Sequence, residues 1–203
     1  MPDSPLNWYA LQVRTGDEES VVGDCRHLFR RDRGEEVFVM KRKREVRHQG
    51  NWWTISSVQF PGYIFVKTND EDYLCKALAP LGSVKRILSS GREITPLQRD
   101  EAELLEALGG NSRMIDISIG YKDETGVYVL SGPLAGRMDH VKKINRNKRI
   151  AKIETGRFGN QTQMWVGLRL PYTREQAEEM IRADSMPLSN MTDIPVELRR
   201  KFA

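Results

Sequence analysis

The chain has 203 residues, 30% of them charged and 39% hydrophobic, with a formal net charge of +4. No apolar run approaches the roughly 18 residues of a membrane span. With only Cys25 and Cys75, neither a disulfide framework nor a CxxC metal knuckle can be built. The opening "MPDSPLNWYALQV" has no basic stretch followed by an apolar one, so no signal peptide is expected, and the expected compartment is the reducing cytoplasm. The charge is unevenly spread: residues 120–171 hold ten Lys/Arg against four Asp/Glu, while residues 1–108 hold 16 against 17. A surplus of that size on one short segment points to a polyanionic partner.

In chain order, "NWYALQVRT" reads as a first strand, with apolar Trp8, Ala10 and Val13 interleaved with other side chains. "TGDEESVVGDCRHLFRRDRG" reads as a helix, because Val21, Val22, Cys25, Leu28 and Phe29 recur at helical spacing. Its first turn is acidic, Arg30 and Arg31 sit at its end, and Gly34 stops it. "EVFVMKRKREV" reads as a strand running into a basic arm, a solvated loop or one that reaches DNA. "HQGNWW" turns it back into "TISSVQFPGYIFVKT", making a long hairpin. Alternation on that last strand sends Tyr63 and Phe65 one way and Ile64 and Val66 the other, so both of its faces are apolar.

"DEDYLCKALAPLG" is a short helix ended by Pro80 and Gly82, and "SVKRILSS" is a strand. Thr95 and Pro96 open a further helix with Leu104, Leu105 and Leu108 on one face. The expected fold class is α+β, and residues 6–108 form its first domain, an antiparallel sheet with helices packed mainly on one side. Gly109 to Ile117 reads as a linker. From 118 to 171 the pattern changes to short alternating strands with Gly, Pro and Asn turns, which predicts a small closed β-barrel. Within it, "HVKKINRNKRIAKIE" places Lys142, Lys143, Arg146, Lys148 and Arg149 on one hairpin. Residues 172–203 form a partly helical tail.

Enzyme constellations are missing from the sequence: it contains no GxGxxG, Walker loop, HExxH or GxSxG. His27, His48 and His140 are scattered, and Cys25 and His27 point in different directions on a helix. The expectation is a binding protein, without catalysis, cofactor or metal.

"WYALQVRTGDEESVV", followed about 40 residues later by "FPGYIFV", resembles the N-terminal (NGN) domain of the NusG family of transcription elongation factors. "VYVLSGPLAG" running into "KKINRNKRIAKIE" resembles the KOW domain of that family, an SH3-like barrel, so the resemblance covers roughly residues 7 to 170. Within the family, this second region is most similar to LoaP, a specialised processive antiterminator. Arg137, Met138, Asp139 and His140 depart from it, standing where family members carry a glycine and an aromatic. The resemblance implies an apolar hollow, matching Tyr9, Phe60, Tyr63 and Phe65, that grips the clamp helices of RNA polymerase. It also places Asp72 and Tyr73 at the polymerase gate loop and Arg14 beside non-template DNA. The helices would cover one face of the sheet and the polymerase the other.

Arg137, Lys142, Lys143, Arg146, Lys148 and Arg149 are the expected contacts to nascent RNA, in a leader hairpin. The factor is expected to act as a monomer and away from membranes. Two alternatives stand beside this reading: a general elongation factor whose barrel binds proteins, and a structural RNA-binding protein.

Overall fold

A computed structural model describes residues 5–29, 33–78, 84–87, 89–90, 93–158 and 161–184, together with 195, 197 and 198. The helix expected to reach Arg30 and Arg31 ends sooner, at Cys25, with a 3-10 turn over Arg26–Leu28 and an extended Phe29. The stop at Pro80 and Gly82 and the tail from 185 to 194 lie outside the described residues. Among the described residues, no helix is long and apolar enough to cross a membrane.

The first sheet has the order β2-β5-β1-β6, from β1 (Asn7–Val13), β2 (Glu36–Phe38), β5 (Tyr63–Thr68) and β6 (Val84–Ile87). All of its pairings are antiparallel. Strand alternation divides its side chains between two cores. Tyr9, Leu11, Val13, Val37, Ile64 and Val66 face α1 (Glu18–Cys25) and α2 (Glu71–Leu78), where Val21, Val22, Cys25, Leu74 and Leu78 complete a buried cluster. Trp8, Ala10, Phe38 and Phe65 face the other way, onto α3 (Arg99–Gly109) and beyond it. The helices are therefore not gathered on one side: α1 and α2 cover one face, and α3 lies on the other.

Three further boundaries differ from the sequence reading. The helix expected from Thr95 and Pro96 begins at Arg99, where the Glu101 carboxylate accepts the Gln98 backbone N–H at 3.2 Å. The basic arm is a regular strand, β3 (Lys41–His48), paired along its length with β4 (Asn51–Val58). This hairpin leaves the first sheet and forms one of its own with β9 (Met114–Ile115). Residues 109–117, read as a linker, thus carry a strand, a fully buried Ile115, and Arg113, which pairs with Glu36 and Glu106. Between β4 and β5 the chain bends at Gly62 (φ +82°), whose N–H donates to the buried Glu18 carboxylate at 2.6 Å.

The C-terminal strands β10 (Ser118–Lys122), β11 (Val127–Ser131), β12 (Val141–Asn145), β13 (Ile150–Phe158) and β14 (Gln161–Arg169) form one sheet in the order β11-β10-β14-β13-β12. Among the described residues no ladder joins β11 to β12, so the closed barrel expected from the sequence is a half-barrel. α4 (Arg174–Asp184) follows and packs on β10 and β11. The short strands β7 (Ser89–Ser90) and β8 (Glu93–Ile94) pair with each other alone.

The half-barrel is seated on the N-terminal part of the chain: β13 packs on α3, and β14 crosses β3. That crossing depends on Gly167. A Cβ there would lie 2.8 Å from the Ile117 side chain and 3.0 Å from the Lys43 carbonyl oxygen. Gly167→Ala should therefore force the two sheets apart and lower stability by about 1–3 kcal/mol. The measurement is the urea midpoint, and a midpoint equal to that of the unsubstituted chain would show that the sheets are not in this register.

Candidate functional site

The first candidate surface is the apolar face of the first sheet. Four rings meet there. Trp8 stands edge-on to Phe38 and Phe65, with centroids 4.9 and 5.9 Å apart, while Phe38 stacks on Phe65 at 5.6 Å. Phe60 meets Phe65 edge-on at 5.6 Å. Edge and offset contacts of this kind suit the ring quadrupoles and fix a rigid surface. Tyr63 packs at its margin, partly buried.

The structure does not place Tyr9 in this hollow. Tyr9 and Trp8 are neighbours on β1 and must point to opposite faces, so Tyr9 lies in the helix-covered core at 2% exposure. Trp8 is the ring that strand alternation puts beside Phe65.

Nor is the face open. Phe60 and Phe65 are 1% and 0% exposed. Leu105 and Leu108 of α3 cover part of the aromatic face, and Ala151, Ile153, Met164, Val166 and Leu168 of the C-terminal sheet, with Leu134 of the turn at 132–136, extend the same buried cluster. The cover expected from another protein is supplied here by the chain itself.

A charged seam runs along the edge of this contact. Glu45 of β3, 8% exposed, pairs with Arg149 at 2.8 Å. Its other oxygen lies 3.1 Å from Arg169 Nε, an ion pair without hydrogen-bond geometry. Arg169 also reaches Asp184 of α4 at 2.7 Å. Burial works against its charge, but Glu45 and Asp184 hold its pKa above the ordinary value. Next along β3, Arg42 donates to the Trp165 carbonyl at 2.7 Å. Burial, and secondarily Arg44, pushes the pKa of Arg42 down to about 10. Lys41 and Lys43 pair with Glu19 and Asp116. The run "KRKR" is therefore neither a solvated loop nor a free arm: it lies along the surface on which the half-barrel rests.

The second candidate surface is the β12–β13 hairpin. Lys142 pairs with Glu154 at 2.7 Å. Arg146 donates to the Leu170 carbonyl at 3.1 Å and lies over the Tyr172 ring at 4.6 Å. Arg149, at φ +52°, lies over the Trp52 ring at 4.0 Å besides pairing with Glu45. Lys143 and Lys148 are exposed. Arg137 donates to the carbonyls of Pro133 and Ala135 in its own loop, away from this hairpin. The six cations expected to contact RNA are thus divided, and all three of the arginines, with Lys142, make contacts inside the chain.

The remaining candidates are dispersed. Arg14 is exposed just beyond β1. Asp72 is exposed on α2, and Tyr73, 39% exposed, donates its hydroxyl to the Leu28 carbonyl at 2.7 Å. Among the described residues, no cluster of three His, Cys, Asp or Glu could hold a metal ion. Sequence reasoning missed Trp8, Glu45, Trp52 and Tyr172. Glu45 carried a signal, as the one acid within "KRKREVRH".

The fold and these surfaces define an α+β protein with an aromatic sheet face lying beneath a second, basic β-sheet. Residues 6–106 match the family model described as transcription termination factor NusG. The chain is 27% identical over 163 residues to the transcription termination/antitermination protein NusG of Helicobacter pylori strain J99, covering 77% of this chain and 92% of that one. It is 25% identical over 170 residues to the protein of the same name from Thermus thermophilus, with the same coverage. A solved structure described as domain interaction in Thermotoga maritima NusG shares the fold, with a TM-score of 0.51 and 22% identity, over 80% of this chain and 93% of that one. The chain belongs to the NusG family of transcription factors.

Since Phe60 is core in this arrangement, Phe60→Ala should cost about 3–5 kcal/mol of stability. Chemical unfolding followed by circular dichroism checks this. A loss below about 1 kcal/mol would mean that the hollow is open in solution.

Proposed function

We propose that this chain is a transcription elongation factor of the processive-antiterminator kind, similar to LoaP, which holds RNA polymerase through its aromatic face and is recruited by nascent RNA. The observation that carries the reading is the aromatic cluster of Trp8, Phe38, Phe60 and Phe65, rimmed by Tyr63 and covered partly through a charged seam. An apolar groove of rigid rings suits the side of an amphipathic helix, and the coiled-coil clamp helices of the polymerase supply one. Asp72 and Tyr73 would meet the gate loop and Arg14 the non-template strand. Nothing is catalysed; by bridging the polymerase the factor biases it toward its pause-resistant conformations.

On this reading the closed chain is a resting state, and the half-barrel must leave before polymerase can dock. The apparent affinity for polymerase is then the intrinsic affinity reduced by the fraction of open molecules. The RNA contact draws on the basic surplus of residues 120–171, with Lys143 and Lys148 as its outward cations and Lys142, Arg146 and Arg149 beside them.

One observation favours a second reading, a general elongation factor whose half-barrel binds proteins. The internal use of Arg146 and Arg149 leaves less free charge for phosphate than the composition suggests.

Glu45→Ala takes the carboxylate from Arg149, leaves Arg169 with Asp184 alone, and destabilises the closed form, since truncating one partner of a buried pair costs about 3–5 kcal/mol. Binding of a clamp-helix fragment should strengthen by at least about tenfold, which needs only about 1.4 kcal/mol of that. Unchanged affinity together with a lowered melting temperature would make the hollow permanent core and remove the polymerase reading. A gel shift with leader RNA at two salt concentrations separates the two roles for the half-barrel.

A further inference from the structure

We propose that the turn at residues 145–149, with Trp52 on one flank and Tyr172 on the other, is a stacking site for unpaired bases of RNA. The inference rests on the RNA reading above and names its mode of contact, one that draws on both ends of the chain.

The turn is closed and rigid. The Asn145 side chain accepts the Lys148 N–H at 3.0 Å, and the Arg149 N–H donates to the Arg146 carbonyl at 3.1 Å. Its two arginines splay outward onto aromatic rings: Arg146 lies 4.6 Å from the centroid of Tyr172, and Arg149 lies 4.0 Å from that of Trp52. Asn147 and Lys148 stand between them in solvent. Tyr172 is 75% exposed, so its contact with Arg146 leaves most of the ring in water. Trp52 is only partly buried and sits directly across the β3–β4 ladder from the exposed Arg47.

The chemistry on offer is flat surface more than net charge. Glu45 balances Arg149, and no comparable acid pairs with Lys148 or Lys143 among the described residues. Guanidinium planes and aromatic rings are the surfaces on which splayed bases stack, and duplex RNA keeps its bases out of their reach. Lys148, Lys143 and Arg47 stand in solvent on the same two hairpins, available to the phosphates of a strand held there. A partner protein would use the rings without any dependence on an unpaired base.

The test uses the full chain and an RNA hairpin with 2-aminopurine in an unpaired purine-rich loop, compared with the same stem closed by a non-nucleotide linker. Tyr172→Leu and Trp52→Leu should each weaken binding of the looped hairpin by about tenfold. Both should abolish the change in loop fluorescence, and neither should alter the slope of log K against log salt. Tyr172→Phe should restore both signals. Lys148→Ala should do the reverse, lowering the slope by about 0.7 while leaving the fluorescence change intact. Melting curves monitor folding, and if Trp52→Leu fails to fold, the highly exposed Tyr172 carries the test. Wild-type affinity in the leucine variants, or equal binding of looped and linker-closed stems, would overturn the stacking site while leaving RNA binding in place. If the unsubstituted chain binds neither RNA at low salt, the RNA reading falls, and the stacking site with it.

Discussion

The structure depends on covering the second face of one small sheet. A four-stranded sheet whose strands are apolar on both sides cannot leave either side in water without a large hydrophobic cost. Two short helices, α1 and α2, cover the side formed by Tyr9, Leu11, Ile64 and Val66. The opposite side carries the rings, and α3 is too narrow to shield all of them. The half-barrel completes the cover with Ile153, Met164, Val166 and Leu168. Everything else about the closed arrangement serves that contact, including the parallel strand at Met114–Ile115 and the close crossing at Gly167.

The seam around that contact is built differently from its centre. The centre is aromatic and aliphatic, and it would stabilise any well-fitting partner of similar shape. The rim holds one nearly buried carboxylate shared between two arginines, and beside it Arg42, whose pKa burial and Arg44 lower. Buried ion pairs of this kind add little net stability, because desolvation offsets most of the attraction, yet they penalise every arrangement that leaves one member alone. A seam of that character fixes the position of the half-barrel without making the contact unbreakable. That is the behaviour a reversible cover needs.

Much of this was legible in the sequence, and the gaps have physical causes. Strand alternation in "GYIFV" correctly divided Phe65 from Ile64 and Val66, and helical spacing identified Val21, Val22 and Cys25 as core. The same alternation, applied to "NWYALQV", would have chosen Trp8 over Tyr9. The resemblance to family members favoured the tyrosine, and the local rule prevails. The run "KRKREVRH" looked solvated because four of its first five residues are cations. Nothing local reveals that a second sheet lies against it, since that contact joins residues more than a hundred positions apart. The roles of Arg146 and Arg149 were hidden for the same reason: their partners, Tyr172 and Glu45, lie in segments with no pattern linking them to the hairpin. The open edge between β11 and β12 was likewise invisible, because alternation counts strands and does not say which pairs close.

The central claim is that the aromatic face is covered by the half-barrel in the free chain and uncovered when polymerase docks. Amide hydrogen exchange tests it most directly, comparing the free chain with the chain saturated by a clamp-helix fragment. The account predicts that the amides of β3 and β14, at the crossing of the two sheets, lose protection on binding. The ladder between β1 and β5 should remain protected throughout, because each of its faces stays covered in both states. Binding with unchanged protection across β3 and β14 would contradict the account, since the fragment would then be docking elsewhere on a chain that stays closed.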